Sequence, residues 1–283
     1  MTNSDFLAVA PQYTTTRELL AASARRRGME VEVLAAGDGA SLLRGRRGGH
    51  YYGGPAYAAG TADDLGVALL EPTDDWLTAL PRDFTRRRVT TTTLEHARCL
   101  TGPAFVKPPS DKSFPAAVYA DGGRLPSAPD FPDLPPDLPV QVSDVVTWAM
   151  EFRLFVLDGA VHTGAQYATF GRLDAAPLEG HRRRGAVLEF AGALLAARGH
   201  TLPSAVVVDI GLLAAPGHDA DPSWAVVEAN MAWFSNCYAA DPDRALDVVL
   251  RAAGPRDRVA ERDLPFCRDR GRGLGRGLGP GRV

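Results

Sequence analysis

Lysine is nearly absent from this chain of 283 residues. Among its 31 basic side chains only Lys107 and Lys112 are lysine, both inside the short stretch FVKPPSDKSF. Cysteine is scarce too: Cys99, Cys237 and Cys267 form no CxxC or paired pattern. That usage argues against a disulfide framework or a zinc site and suggests reduced thiols. No apolar run reaches the length of a membrane span, and the opening MTNSDFLAVA lacks the basic start of a signal peptide. A cytoplasmic protein without membrane attachment is therefore expected. The histidines have no zinc-ligand spacing, and no G-x-S-x-G elbow marks a serine hydrolase. The net charge is only -3, which gives no general pull toward nucleic acid. Charge is unevenly spread, because the stretch from Arg268 onward carries five arginines and one aspartate. An Arg-Gly segment of this kind can bind RNA. Here it has no aromatic beyond Phe266 and reads as an unstructured appendage.

What is present is a globular composition, 45% apolar and 23% charged, long enough for one large or two ordinary domains. FLAVA reads as a buried strand, TTTRELLAASARRRG as an amphipathic helix stopped at Gly28, and EVEVLAA as a second strand. This β-α-β opening implies a parallel sheet. Its first turn, APQYTTTREL, has no glycine-rich phosphate fingerprint, so a dinucleotide is not expected there. DDWLTALPRDF and RRRVTTTTLEHARCL read as helical or loop-helix connections. The proline- and acid-rich stretch from Asp121 to Pro139 reads as a loop between strands. FVLDGAVHT is a hairpin with an Asp-Gly turn, HRRRGAVLEFAGALLAARG is a helix ending at Gly199, and DPDRALDVVLRAAG is a last helix. The arginine triplets at 25–27, 86–88 and 182–184 read as solvated helix faces or ends.

Chemistry concentrates in SAVVVDIGLLA and WAVVEANMAWF. Glu228 and Asn230 are two apart, so a strand turns both to one face, with Val227 and Ala229 on the other. A hairpin free of bulges with Asp209 opposite Glu228 sets Ala214 opposite Ser223 and leaves residues 215–222 as its loop. Asp209, Glu228 and Asn230 then converge. Hard oxygen donors of this kind suit Mg²⁺, which prefers carboxylates together with substrate phosphates.

A lysine strand, a loop with a second lysine, a hinge strand, an EFR strand, an Asp strand and a VEAN strand follow one another in an order that resembles the ATP-grasp ligases, in a divergent bacterial branch. The resemblance covers roughly residues 101–253. It implies an α/β fold, α+β toward the C-terminus, in which a pre-ATP-grasp β-α-β domain (1–100) precedes a two-lobed ATP-grasp domain. The small lobe would run over 101–145, the large lobe over 146–254, and 255–283 would be a disordered Arg/Gly-rich tail. ATP and Mg²⁺ are the implied cofactors. By position, Lys107 and Lys112 resemble the phosphate-binding lysines, where an ammonium follows a triphosphate as a point charge. Gln141, Val142 and Ser143 resemble the hinge strand whose backbone reads adenine, and Asp144 either holds the ribose or is a plain surface residue. Arg153 matches the arginine that neutralises the transferring phosphoryl group. Asp209, Glu228 and Asn230 stand at the magnesium positions. Glu151 either serves the site or pairs with Arg153, and Asn236 and Tyr238 either touch substrate or are structural. The implied reaction joins a carboxylate to an amine through an acyl phosphate, with an amino acid or peptide as a plausible partner. A phosphotransferase and a non-catalytic nucleotide- or nucleic-acid-binding protein are the alternatives. PPSDKSF lacks the glycine such phosphate loops often carry.

Overall fold

A computed structural model describes residues 5–35, 40–109, 113–127, 131, 134–214 and 223–268. The chain opens with β1 (Phe6–Val9), α1 (Thr15–Arg26), β2 (Glu30–Val33) and β3 (Gly49–Tyr52). Strand β1 lies between β2 and β3, parallel to both, as the β-α-β pattern requires. The Thr14 hydroxyl accepts the Arg17 N–H at 3.0 Å and caps α1. Beyond its end Gly28 takes a positive φ of 75° that a side chain would resist. Helix α2 (Pro55–Leu65) and β4 (Val67–Leu69) follow.

After a short helix, α3 (Arg82–Thr85), comes β5 (Val89–Thr93), then α4 (Leu94–Ala97), β6 (Ala104–Lys107), β7 (Ala117–Tyr119) and β8 (Pro139–Ser143). These strands form one sheet in the order β5-β8-β6-β7. The threonine run, expected as part of a helical or loop connection, is thus a strand. Its β-branched side chains suit a pleated surface, and it pairs with β8 from Val89 to Thr93. The lysine-bearing sheet therefore begins upstream of residue 101.

A second, five-stranded sheet holds β9 (Trp148–Leu157), β10 (Ala160–Thr169), β11 (Arg172–Pro177), β12 (Ala205–Leu213) and β13 (Ser223–Asn230), ordered β11-β10-β9-β12-β13. The turn between β9 and β10 has both Asp158 and Gly159 at positive φ, 48° and 77°, the twist that a two-residue hairpin needs. One face of this sheet buries Phe152, Leu154, Val206, Val208 and Ile210. Against it lie Val187, Ala191 and Leu194 of α5 (Arg184–Arg198). The opposite face contributes Phe155, Ala165, Ala205 and Val207 to a core shared with β1, β3 and α6 (Pro242–Ala252). Helix α6 is capped by Asp241, which accepts the Asp243 and Arg244 N–H groups at 2.9 and 3.2 Å.

The tail expected from residue 255 does not begin there. Strand β14 (Ala253–Pro255) pairs with β4. Buried Asp263 accepts the Ser204 N–H and hydroxyl at 2.7 and 2.6 Å. Arg268 bonds to Glu71 at 2.7 Å and lies over the Trp233 ring. These contacts fix the chain as far as Arg268. The expectation for residues 269–283 lies outside the described residues, as does the hairpin loop at 215–222. Among the described residues no helix is long and apolar enough to cross a membrane.

Candidate active site

Alternation along β6 sends Ala104 and Val106 into an apolar cluster with Val140 and turns Lys107 to the other face. On that face the cross-strand neighbour of Lys107 is Gln141 of β8. Facing them is the end of β13. Lys107 Nζ donates to the Glu228 carboxylate, joining the two sheets across a cleft that Gln141, Asp74, Asn230 and Met231 also line.

Asp209 lies opposite Arg153 on one side and Glu228 on the other. The Arg153 fork binds it in two places, at 2.9 and 2.6 Å. The Asn230 amide donates to Glu228 at 2.8 Å and to Asp209 at 3.3 Å. The expected convergence of Asp209, Glu228 and Asn230 is present, but the register that produces it is not the regular one. Between Asp209↔Glu228 and Ile210↔Val226 the pairing slips, and Leu213, not Ala214, faces Ser223. Val227 is the extra residue of a β-bulge. On an unbroken strand Val226 and Glu228 would share a face. The bulge lets Val226 enter the apolar core at 0% exposure while Glu228 turns into the cleft.

The charges are strongly coupled. Burial pushes the Glu228 carboxyl upward, but Lys107 and the Asn230 hydrogen bond outweigh it and hold the group at about 2. Burial likewise pushes the Asp209 carboxyl up, against the opposing pull of Arg153. Glu151 is raised by burial and by the negative charges of Asp209 and Glu228. It does not pair with Arg153, which is committed to Asp209. Instead it accepts the Tyr167 hydroxyl at 2.8 Å. Tyr167 stacks on Tyr238 with centroids 5.2 Å apart, and the Arg153 guanidinium lies over both rings, at 5.5 and 5.4 Å. Tyr238 holds a positive φ of 50°, a conformation that side chains seldom adopt and that tends to mark functional sites.

The remaining expected positions fare differently. Strand β8 is interior, laddered to β5 on one edge and β6 on the other. The backbone at Gln141, Val142 and Ser143 therefore has no free edge with which to read adenine. Val142 packs against the apolar cluster behind the sheet, while the Gln141 and Ser143 side chains share the face of Lys107. Gln141 Nε2 donates to the Asp74 carbonyl at 2.8 Å, and its buried Oε1 has no hydrogen-bond partner among the described residues. Asp144 accepts the Arg88 N–H at 2.8 Å. Asn236 is exposed. Lys112 lies outside the described residues. Sequence reasoning missed Tyr167, whose place is set only by the pairing of β10 with β9. It also took Arg87 for part of a solvated triplet, whereas that side chain is only 7% exposed.

The donor set fits a magnesium–nucleotide complex. Among the described residues no cluster of three or more acids, histidines or cysteines forms a self-sufficient metal cage. Two carboxylates and one amide are what Mg²⁺ takes when phosphate oxygens and waters complete its shell. The unpartnered Gln141 oxygen is an acceptor suited to an N–H donor such as the amino group of adenine.

Two facing sheets with a lysine on one and a paired acid–acid–amide set on the other define an ATP-grasp protein. A family profile for an ATP-grasp domain, the second family of its clade, matches residues 84–248, more than half of the chain, and the protein belongs to that family. A comparison with curated proteins finds no match. Among solved structures, D-alanine–D-alanine ligase from Bacillus anthracis superposes with a TM-score of 0.51 at 12% identity, covering 88% of this chain and 97% of that one. That likeness shows a shared fold. A RimK domain ATP-grasp protein from Sphaerobacter thermophilus DSM 20745 gives 0.49 at 16% identity, covering 87% and 99%. ATP-grasp ligase PsnB complexed with minimal precursor gives 0.44 at 13% identity, covering 88% and 99%.

Proposed function

We propose that the protein is an ATP-dependent carboxylate–amine ligase. The observation that carries this reading is the meeting of Lys107, from one sheet, with Glu228, beside Asp209, Asn230 and Arg153, on the other. ATP binds between the two sheets. Lys107 leaves Glu228 for the phosphates, with Lys112 as a second ammonium, and Gln141 accepts a hydrogen bond from adenine. Asp209, Glu228 and Asn230 hold Mg²⁺, which neutralises β- and γ-phosphate oxygens when bound. Arg153 lies where charge develops as the γ-phosphoryl group passes to a substrate carboxylate oxygen. The bond from the γ-phosphorus to the β,γ-bridging oxygen breaks, and ADP leaves. Activation is required because a carboxylate is a poor electrophile. An amine then attacks the acyl carbon, loses a proton, expels phosphate and forms the amide. The substrates are a small carboxylate and an amine, with an amino acid or peptide as the natural class.

The test is ADP release with pools of small carboxylates and amino acids, the product identified by mass spectrometry. Release should depend on the amine. Release without any amine, with a phosphorylated product, would indicate a phosphotransferase. Lys107→Ala and Asp209→Asn should each lower turnover by at least about 100-fold, as removal of groups that stabilise developing charge does. Wild-type rates in both variants would refute the assignment.

A further inference from the structure

Strand β13 is an edge strand, so the outward carbonyls at its bulge have no neighbouring strand to bond them. One side chain takes their place. Arg87 Nη1 donates to the Val226 carbonyl at 2.6 Å, and Nη2 donates to the Val227 carbonyl at 3.0 Å. These are the carbonyls on either side of the slip that turns Glu228 into the cleft. The guanidinium is buried, lies 5.1 Å from the centroid of the Trp148 ring, and is held from behind by the Thr85 carbonyl at 3.2 Å. Burial pushes it down to about 10, with Glu228 and Asp144 opposing, so it stays charged at neutral pH. A planar fork spans two adjacent carbonyls, which a lysine ammonium cannot do in the same geometry.

We infer that Arg87 is a positioning residue for Glu228: it pins the β-bulge at Val226 and Val227 and so aims the Glu228 carboxylate at the metal position beside Asp209. The inference rests on the reading of Glu228 as a magnesium ligand. It assigns to Arg87 the control of metal-dependent nucleotide binding, with no contact to the nucleotide itself.

The experiment measures ADP affinity by calorimetry with and without Mg²⁺ in the full-length wild type, Arg87→Lys and Glu228→Gln, with circular dichroism to establish folding. In Arg87→Lys the gain in ADP affinity produced by Mg²⁺ should fall about 10- to 100-fold, the range carried by groups that orient metal ligands. ADP affinity without metal should be unchanged. A folded Arg87→Lys with a lower melting temperature but the full Mg²⁺ gain would show a structural clamp only and overturn the proposal. If Arg87→Lys does not fold, Arg87→Gln, which retains N–H donors on a shorter neutral stem, replaces it in the same measurement. Glu228→Gln separates the metal assignment from the positioning role. If it keeps the Mg²⁺ gain, the metal assignment fails and the inference with it. If it loses the gain while Arg87→Lys keeps it, the positioning role alone fails.

Discussion

At the scale of single residues, the site holds carboxylates whose burial acts in opposite directions on stability. Glu228 sits at about 2 in the folded protein against an ordinary 4.5. Its contribution is complete above the ordinary value and is lost as pH falls from there through about 2. Glu151 has the opposite sign. Its folded carboxyl is raised by burial and by Asp209 and Glu228, so stability is lost as pH rises from the ordinary value through the folded one. Glu151→Gln should therefore raise the urea midpoint at pH 7, and the gain should shrink as pH falls toward 4.5, the group's ordinary value. Equal midpoints for wild type and variant at pH 7 would count against this account. The residues that titrate here were legible in the sequence, because charged groups inside apolar strands such as VVVDIGLL stand out. Their partners were less so. Glu151 and Arg153 share a strand face and invite pairing, but Asp209 from the neighbouring strand offers Arg153 a two-pronged fit that an i, i+2 neighbour does not.

At the scale of elements, the packing of β9 on β12 leaves one tight place. Gly211 lies opposite Glu151, and a Cβ there would run into the Trp148 ring. That ring supports Arg87. Gly211→Ala should cost about 1–3 kcal/mol, as overpacking in a filled interior does. It should also displace Trp148, which denaturant melts followed by tryptophan fluorescence would register. Alternation, caps and turn residues made most strands and helices readable: Asp158-Gly159 announced its hairpin and Asp241 its helix. The bulge at Val227 was hidden because its cause is remote. The arginine that holds it lies 139 residues away in sequence, and no pattern within β13 announces it. The ordered stretch before Arg268 was masked by the arginine and glycine beyond it. Its anchor, Asp263, becomes informative only once Ser204 is known to lie beneath it.

For the whole molecule, the joining of two sheets by Lys107 and Glu228 makes ligand binding and stability one measurement. A magnesium nucleotide at about 100 times its dissociation constant adds about 2.7 kcal/mol to the folded state. For a chain of this size that corresponds to a rise in melting temperature of several degrees. Lys107→Ala should abolish most of the rise, and an unchanged wild-type melting curve would argue against nucleotide binding. The grouping of sheets carries a further consequence. The sheet β5-β8-β6-β7 is entered just after Arg88 and left just before Asp144, and these two residues are tied by hydrogen bonds of 2.8 and 3.1 Å. Entry and exit thus form a single narrow hinge pin. Swinging about that pin leaves both bonds intact, whereas sliding or twisting would break them. Opening and closing reduce to one angular coordinate, along which Lys107 sweeps an arc toward or away from the acids it faces.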